Sequence, residues 1–469
     1  MDQEYVTLKI KNSEEYWQIN SKKFRHWIVH KHFLETGKVP NSNGINQVIE
    51  YLSAKAFMEG KPIKLHMRVA EHDGNIYYDL ANDKKQVIEI DADGWRTTRN
   101  PPVSFARYTN TAPQVLPSKK AVITDIYSIF DFINLKEEDQ LLFLVELISC
   151  FVPDIPHVIL SLYGEKGASK STALRIKRRI LDPAITELVS LPNDPEQLKL
   201  ILARNYCPLF DNLDYLKGWQ SDLLCTASTG GGNIKRQLYT DQDEVLLKFK
   251  CCVGLNGINT VGMRPDLLDR SLIFELDRIR PENRLSESDL WAMFEERRPY
   301  ILGAIFTILS GALQVYPEIE LESLPRMADF ARWGYAIANA LGDAGDDFLK
   351  ALEDNDTRTN NEAILASPLA VAILLLMKDK QEWNGTATEL LKELNEIALD
   401  ESLDTQAKLW PKGANYISRR LKSIKANLES QGIYYEIHRN SQNVSDLTIT
   451  KVILKDNNSY NENADWEDE

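Results

Sequence analysis

The segment SLYGEKGASKSTALRIKRR, residues 161–179, carries residues that could bind phosphate groups. Gly164, Lys170 and Ser171 stand at the spacing of the pattern GxxxxGK[ST], and Ser169 takes the place of its second glycine. Such a loop needs backbone N–H groups at a helix N-terminus, a lysine for the outer phosphates and a hydroxyl for Mg²⁺. A serine is costly at this place only if the position requires a positive φ or very close phosphate approach, so we expect it to be tolerated. The predicted nucleotide-binding residues are Gly164, Glu165, Lys166, Gly167, Ala168, Ser169, Lys170, Ser171 and Thr172.

Two strand ends further along the chain carry side chains that could complete this site. In CPLFDNLDYL an apolar strand ends at Asp211, a carboxylate that could hold Mg²⁺ through water. In KCCVGLNGIN a second apolar strand ends at Asn256, whose amide could orient a water or the γ-phosphate. We therefore expect Ser171 and Asp211 to serve the metal, with Asn256 beside them.

Arg270 stands between LLD and the apolar strand SLIFEL, which predicts a position at the sheet edge. From an edge, an arginine could reach the phosphate of a neighbouring subunit and neutralise developing charge. Taken singly, these residues could equally be a surface acid, a capping amide and a solvated arginine. Their order and spacing favour the interpretation as one site.

The surrounding elements predict an α/β fold with flanking domains. Between 120 and about 315, the apolar strands HVILSLYG, ELVSL, YCPLFDNLD and KCCVGLN alternate with helices, as in a parallel sheet covered on both faces. Residues 1–115 read as an α+β domain of unknown role and residues 346–385 as a helical linker. Residues 386–455 have the helix, helix, hairpin order of a winged helix, and 456–469 read as an acidic disordered tail. The basic residues Arg175, Lys177, Arg178 and Arg179 are predicted to form a surface face.

The run Lys170, Asp211, Asn256, Arg270 resembles the Walker A, Walker B, sensor 1 and arginine finger of AAA+ ATPases. LFDNLDYL and LLDRSLIFELDRI resemble segments of minichromosome-maintenance helicases, and the chain from about 120 to 455 is similar to replicative helicases of phages, plasmids and genomic islands. The resemblance implies an AAA+ P-loop core over 116–345 with ATP and Mg²⁺ as ligands. It also implies a hexameric ring, because the arginine finger of this family acts on the neighbouring subunit. It also implies single-stranded DNA as the partner and no membrane.

The segment STGGGNIKRQLYTDQDEVLLKFK, within about 230–250, is similar to the hairpin that precedes sensor 1 in such helicases. Its glycines end a helix, and two strand-like runs flank the turn TDQD. Lys235 and Arg236 could then contact backbone phosphates of one DNA strand in a central channel, which would be independent of base sequence and sensitive to salt. An ordinary exposed hairpin with solvated charges is the alternative.

Two further positions bear on catalysis. Asn212 stands where the family pattern has a catalytic glutamate, and an amide cannot accept a proton from water as a carboxylate can. Either Asn212 orients the water while another acid such as Asp214 assists, or hydrolysis is slow. In LPRMADFARWG, Arg326 resembles the sensor 2 arginine of the lid better than Arg332 does.

Composition limits the other possibilities. The chain has 469 residues, 43% hydrophobic and 26% charged, with a net charge of −14, so a surface basic throughout is excluded while a local basic channel is not. We find no signal-peptide pattern at its start and expect a cytoplasmic protein. The five cysteines lack the paired spacing of a zinc site and are expected to be buried free thiols.

The sequence leaves three alternatives to an ATP-driven, ring-forming DNA helicase of a mobile element. The first is a nucleotide-gated DNA-binding initiator or scaffold that rarely hydrolyses ATP, which Asn212 would suit. The second is a regulatory or defence ATPase that acts on protein. The third is a primase-helicase fusion, for which Glu89, Asp91 and Asp93 could share one face of a strand, although a solvent-facing strand edge explains them equally. His26, His30 and His32 could also form a metal site, since His26 and His30 share a helix face. Histidines that face solvent or pack against neighbours are the alternative.

Overall fold

The computed structural model describes residues 4–10, 13–236, 244–257, 264–280, 282, 284–365, 367–406, 410–439 and 445–452. The chain divides into two compact units. The first unit comprises Met1–Asn259 and Arg270–Leu352, and the second comprises Thr260–Asp269 and Glu353–Glu469. The predicted acidic tail lies outside the described residues.

The chain begins with a small helical lobe closed by a hairpin. Its elements are β1 (Tyr5–Ile10), β2 (Ser13–Gln18), α1 (Lys22–Thr36) and α2 (Ser42–Glu59). The Ser21 hydroxyl caps α1 by accepting a hydrogen bond from the Phe24 amide, and Gly37 ends it at φ 68°. Buried Leu8, Ile19, Phe24 and Ile49 give this lobe a core of its own.

A four-stranded antiparallel meander follows. Its strands are β4 (Val69–His72), β5 (Asn75–Asp79), β6 (Val87–Asp91) and β7 (Gly94–Thr98), and a short parallel pair, β3 (Leu65–His66) and β8 (Ser104–Phe105), flanks them. In β6, Ile88 and Ile90 are buried, whereas Glu89 and Asp91 are only half-buried. This alternation is typical of a strand with one face on a core.

The central sheet of the first unit has four parallel strands in the order β10–β13–β9–β14. Its elements and their connections are α3 (Glu137–Ser149), β9 (Ile159–Tyr163), α4 (Lys170–Leu181), α5 (Pro195–Arg204), β10 (Leu209–Leu213), α6 (Gly218–Thr229), the hairpin β11 (Gly231–Arg236) with β12 (Glu244–Phe249), β13 (Gly254–Gly257) and β14 (Ser271–Glu275). The predicted parallel α/β sheet is confirmed. The predicted strand ELVSL is reduced to one parallel bridge between Val189 and Phe210.

Further helices share the core of the first unit with this sheet. They are the 3-10 turn Ile123–Asp131, α8 (Glu287–Val315), the 3-10 turn Tyr316–Glu318 and α9 (Ala328–Gly342), and α10 (Gly345–Leu365) leads into the second unit. The span Glu287–Glu318 is long and apolar enough to cross a membrane, but more than half of its most apolar stretch is buried. Phe294, Ile301 and Phe306 of α8 belong to the main core, as expected of a core helix in a globular unit.

The antiparallel meander shares that core. Ile88 of β6 belongs to the same buried cluster as Phe306 of α8. The Ser310 hydroxyl donates to the Asp91 carbonyl oxygen at 2.6 Å, and the Trp95 indole donates to the Thr307 hydroxyl at 3.2 Å. The boundary predicted near residue 115 therefore falls inside one compact unit.

The prediction of a basic surface face on α4 is wrong for half of its residues. Lys177 is fully buried and paired with Glu146, and Arg178 is 3% exposed and bonded to Asp182 and the Cys207 carbonyl oxygen. Arg175 and Arg179 are half-buried and share Glu187. Long basic side chains can enter a core when each meets a partner. The partner of Lys177 comes from α3, whereas Asp182 lies four residues after Arg178 at the end of the same helix.

The second unit combines helices with a small antiparallel sheet. Its elements are α7 (Pro265–Leu268), α11 (Pro368–Leu376), β15 (Glu382–Thr386), α12 (Ala387–Asp400), α13 (Ala414–Ser423), α14 (Lys425–Glu429), β16 (Ile433–Arg439) and β17 (Ser445–Lys451). The sheet order is β15–β17–β16, and buried residues such as Leu390, Ile417 and Leu447 form a separate core. The predicted capping box of Thr386 with Glu389 and the predicted C-terminal hairpin are confirmed.

Candidate nucleotide-binding site

The loop between β9 and α4 lies at the carboxyl edge of the parallel sheet. This is where the strand order reverses around β9, the position at which open parallel sheets bind ligands. At its start, Gly164 has φ 133°, and a Cβ there would lie 2.4 Å from the Leu276 carbonyl oxygen. No side chain fits at that distance, so this glycine is required by the fold of the loop.

Ser169 lies in the left-handed region, with φ 55° and ψ 29°, directly before α4. This position therefore requires a positive φ, the condition under which a serine is costly. For an L-residue this conformation costs about 1–2 kcal/mol relative to a right-handed one. The loop keeps the glycine-type backbone although its residue is not glycine.

Lys170 is the first residue of α4, and its ammonium faces back into the loop. Its Nζ donates to the Gly164 carbonyl oxygen at 2.7 Å and to the Glu165 carbonyl oxygen at 2.9 Å. Partial burial lowers the pKa of Lys170, and the negative charge of Asp211 offsets this in part. The ammonium thus stands at the N-terminus of a helix, where the helix dipole and free N–H groups favour anions.

Ser171, Asp211 and Asn256 come together beside Lys170. The Ser171 hydroxyl donates to Asp211 Oδ1 at 2.9 Å, and Asn256 Nδ2 lies 3.4 Å from Ser171 Oγ. Asn256 is 3% exposed and accepts the Asn212 backbone N–H on its Oδ1 at 2.7 Å. The helix start and two strand ends therefore converge on a single polar cluster.

Asn212 lies in a bulge of β10. The pairing of β10 with β13 shifts register between Phe210 and Leu213, and Asn212 has φ 58°. Its side chain is exposed. Because residue 212 is an asparagine, an amide rather than a carboxylate follows Asp211 along the chain. Asp214, which the sequence suggested as an assisting acid, is also exposed, two residues further along the chain.

Arg270 is not brought to this cluster. It directly precedes β14, and its carbonyl oxygen accepts the Ile159 N–H at 2.7 Å, at the amino-terminal edge of the sheet. Arg270 and Gly164 are six residues apart along the strand direction, which corresponds to a distance of roughly 20 Å at about 3.3 Å per residue. Within one protomer Arg270 therefore lies at the edge opposite the loop.

Two arginines that the sequence did not single out lie over the loop. A Cβ built on Gly167 would be 4.0 Å from Arg278 Nε and 4.0 Å from Arg284 Nη2. Both belong to the segment that follows β14, whose carboxyl end shares an edge with β9. The signal was present in RIRPENR, a cluster of arginines directly after a parallel strand.

The lid arginines have different surroundings. Arg332 donates to the Ile319 and Tyr316 carbonyl oxygens at 3.0 and 3.2 Å and stacks on the Tyr316 ring, which is a structural role. Arg326 is exposed in the turn before α9. The preference for Arg326 over Arg332 stays a prediction.

Lys235 and Arg236 lie at the end of β11, opposite Val245 and Glu244 of β12. The strands form the antiparallel hairpin that the sequence predicts, and the turn TDQD lies outside the described residues. Contact of these two residues with DNA stays a prediction.

Glu89, Asp91 and His32, among the remaining acidic and histidine candidates, have local partners. Arg96 forms ion pairs with Glu89 at 2.8 Å and Asp91 at 2.5 Å, and Asp93 lies in the turn that follows. His32 Nδ1 lies 2.8 Å from the Lys38 carbonyl oxygen. In the part of the chain that the structure describes, neither set forms a metal-binding cluster.

Two family models match the chain. One, described as actinomycete integrative conjugative element replication protein, matches residues 123–356, and the other, described as AICE RepA C-terminal domain, matches residues 369–459. Together they cover more than two thirds of the sequence. No curated protein gives a significant match.

Similar solved structures include an apo form of the NrS-1 C terminal region, at 12% identity and a TM-score of 0.41, over 95% of this chain and 94% of that one. Another is JCV Helicase bound to an acetamide compound, at 14% identity and a TM-score of 0.28, over 50% of this chain and 67% of that one. At TM-scores below 0.5 these likenesses add nothing to the argument from the residues. On the two family models, the chain belongs to the family of actinomycete integrative conjugative element replication proteins.

Proposed function

We propose that the first unit binds ATP with Mg²⁺ and hydrolyses it to drive a ring-shaped DNA helicase that replicates a mobile element. The contact of the Ser171 hydroxyl with Asp211 Oδ1 at 2.9 Å carries the nucleotide part of the proposal. It joins the helix after the phosphate-type loop to the end of β10, as a metal-dependent phosphate site requires. Membership of a family of replication proteins supports the role in DNA replication.

The donor set fits Mg²⁺. A serine hydroxyl and a carboxylate are hard oxygen ligands, and few protein ligands suffice because Mg²⁺ retains waters and binds phosphate oxygens. When bound, the metal would neutralise charge on the outer phosphates of the nucleotide. Ser171 and Asp211 would hold it, while Lys170 would exchange its bonds to the Gly164 and Glu165 carbonyl oxygens for bonds to phosphate.

Arg278 and Arg284 would bind the same triphosphate in cis. Both guanidinium groups lie 4.0 Å from the Cβ position of Gly167, and arginine binds phosphate through paired N–H groups. They extend the positive field of Lys170 around the loop. Such a field binds anions tightly in a chain whose net charge is −14.

Arg270 would act in trans. At roughly 20 Å along the strands from the loop, it cannot serve its own site and would reach a phosphate only across an interface. The proposal therefore includes an oligomer, a hexameric ring. Mixing two inactive variants tests this: Lys170→Ala keeps the arginine and Arg270→Ala keeps the nucleotide site.

In a random equimolar mixture, about a quarter of the interfaces pair an intact Lys170 with an intact Arg270, so about a quarter of wild-type turnover should return. Each variant alone should be inactive, and Arg270→Ala should still bind nucleotide. A mixture as inactive as its components, although both variants assemble, would contradict action in trans.

Nucleotide binding is tested by titrating a fluorescent ATP analogue with Mg²⁺ into the full chain. Lys170→Ala should abolish binding, whereas Lys64→Ala, which removes an exposed lysine paired with Asp154, should leave it unchanged. Equal affinities of wild type and Lys170→Ala would exclude the site.

A second candidate function is a nucleotide-gated initiator that binds DNA and hydrolyses ATP rarely. The exposed amide of Asn212, where a catalytic carboxylate would stand, favours it, since general-base catalysis contributes about 10²–10⁴-fold. In this case binding of ATP, rather than its turnover, would switch the affinity for DNA. The second unit would then provide the DNA contact, because Arg419 and Lys422 of α13 are exposed in a winged-helix-like order of elements.

Turnover with forked DNA separates the two functions. A helicase should show steady DNA-stimulated hydrolysis and strand separation, both weakened by Lys235→Ala and Arg236→Ala and by added salt. An initiator should bind DNA in an ATP-dependent way with little turnover. Hydrolysis that does not respond to DNA would contradict both.

A further inference from the structure

We propose that Cys150, His157 and Cys252 form a site for a thiophilic divalent cation, Zn²⁺, on the side of the sheet away from the nucleotide loop. Their ligand atoms, two sulfurs and one imidazole nitrogen, all lie within 4.8 Å of one another. All three residues are at most 1% exposed. This site is independent of the proposed nucleotide chemistry.

The histidine supplies a second observation that points to a ligand. Neither ring nitrogen of His157 has a hydrogen-bond partner among the described residues, although the side chain is buried. An imidazole in a core normally bonds through at least one nitrogen, because an unpaired buried polar group costs free energy. A metal ion between the two sulfurs would give one of these nitrogens its partner.

The backbone holds the three residues from independent elements. Cys150 ends α3, His157 lies two residues before β9, and Cys252 lies two residues before β13. The His157 N–H donates to the Ser228 carbonyl oxygen at 2.8 Å, and the Cys252 N–H donates to the Tyr206 carbonyl oxygen at 2.9 Å. The site therefore lies at the amino ends of the strands, and its role would be to join α3 to the sheet.

The geometry suits zinc after a small contraction. With Zn–S near 2.3 Å and Zn–N near 2.0 Å, tetrahedral ligands lie about 3.5–4 Å apart, so the cluster closes by about 1 Å. The three side chains would leave the fourth coordination position of a tetrahedral Zn²⁺ open. Glu146 lies beside them, since Cys150 Sγ is 3.5 Å from Glu146 Oε1, and its Oε2 has no hydrogen-bond partner among the described residues.

The charge also balances. Zn²⁺ binds two thiols as thiolates and releases two protons, so the ion and the two sulfurs together are neutral in the core. The adjacent ion pair of Lys177 with Glu146 is neutral as well.

The ligands of this site are not spaced as in a zinc motif, so no pattern in the sequence predicts it. Six residues lie between Cys150 and His157, and Cys252 comes 95 residues after His157. Only the parallel pairing of β9 with β13 brings the last two together.

The test begins with the wild-type full chain, purified without chelators and analysed for metal and thiols. Chelator-treated protein is then titrated with Co²⁺ as a spectroscopic substitute and with Zn²⁺ in weak buffer. We expect one equivalent bound, a thiolate-to-cobalt charge-transfer band, two protons released per Zn²⁺, and a rise of several degrees in Tm at 100 times Kd.

Variants assign the ligands. Cys252→Ser and His157→Gln should each lose the cobalt band and the Zn²⁺-dependent rise in Tm. Cys251→Ser, a matched change at an adjacent buried thiol that donates to the Leu202 carbonyl oxygen at 3.1 Å, should keep both.

The wild-type spectrum decides the matter even if a variant fails to fold. Absence of a charge-transfer band and of any Zn²⁺ effect on Tm, with all five thiols reduced, would overturn the proposal. So would a mass lower by two hydrogens with Cys150 linked to Cys252, which would identify a disulfide instead.

Discussion

Replacing Ser169 with glycine should stabilise the first unit. Ser169 has φ 55° and ψ 29°, which costs an L-residue about 1–2 kcal/mol. Glycine adopts this conformation freely but loses more backbone entropy on folding, which costs about 0.5–1 kcal/mol. The net expectation for Ser169→Gly is a gain of about 0.5–1 kcal/mol in the free energy of unfolding.

Urea unfolding of the full chain, followed by tryptophan fluorescence, measures this gain. Ser402→Gly is the matched control, because Ser402 is an exposed serine in the second unit with φ 55°. Both changes remove the same backbone strain, so both should be stabilising by similar amounts. Addition of ATP and Mg²⁺ should shift the unfolding transition of the first unit. Only Ser169→Gly, and not Ser402→Gly, should change that transition.

The affinity of Ser169→Gly for nucleotide shows whether the loop changes conformation when it binds phosphate. If the loop keeps its left-handed backbone with and without ligand, the strain of Ser169 is equal in both states and Kd should change by less than about twofold. A Ser169→Gly protein that is less stable than wild type would refute the assignment of strain to this residue. A Kd lowered by tenfold or more would show that the loop must move before it binds phosphate.

Four further substitutions test the packing and the positive charge around the site. Gly164→Ala should cost at least about 2 kcal/mol of stability, because φ is 133° and a Cβ would lie 2.4 Å from a backbone oxygen, as thermal unfolding would show. Arg68→Met should cost about 3–5 kcal/mol, because it leaves buried Asp182 short of a partner. Burial alone would raise the pKa of Asp182, but its arginine partners hold it below the usual value. That stabilisation is present above pH of about 4 and is lost below it, so the two unfolding curves should approach each other in acid. Arg278→Ala and Arg284→Ala should each raise the Kd for ATP about tenfold or more, since a hydrogen bond to a charged group is worth about 1.5–3 kcal/mol.

Matched controls exist for the last two tests. Arg280→Ala removes an exposed arginine of the same segment and should leave the Kd nearly unchanged. Lys64→Met removes an exposed partner of Asp154 and should cost less than about 1 kcal/mol. Equal effects of Arg278→Ala and Arg280→Ala would show that only net charge matters.

The parallel sheet and the convergence of Ser171, Asp211 and Asn256 were predictable because each signal is local. A continuous apolar run predicts a buried strand, and the carboxyl ends of parallel strands share one edge. The order of strands then fixes where the polar residues meet. The roles of these residues in catalysis stay predictions.

Other features were beyond the sequence because they depend on remote partners. Lys177 and Arg178 read as solvated charges. In the core, however, Lys177 pairs with Glu146 and Arg178 donates to the Cys207 carbonyl oxygen, and these partners are 31 and 29 residues away. The left-handed backbone of Ser169 follows from the path of the loop rather than from its residue type. Arg278 and Arg284 were missed because their position depends on how the segment after β14 turns back over the loop.

The packing of the antiparallel meander against α8 has a practical consequence. Arg68, which precedes β4, is 4% exposed and bonds to Asp182 and the Pro183 carbonyl oxygen at the end of α4. A truncation that starts near residue 116 would remove Ile88 and Ile90 from the core and would take away Arg68, one of the two arginine partners of buried Asp182. Deletion series that aim at a minimal form of the first unit should therefore keep the chain from β3 onwards. Loss of the meander would unfold this unit, and the unfolding would be mistaken for the loss of a separate recognition module.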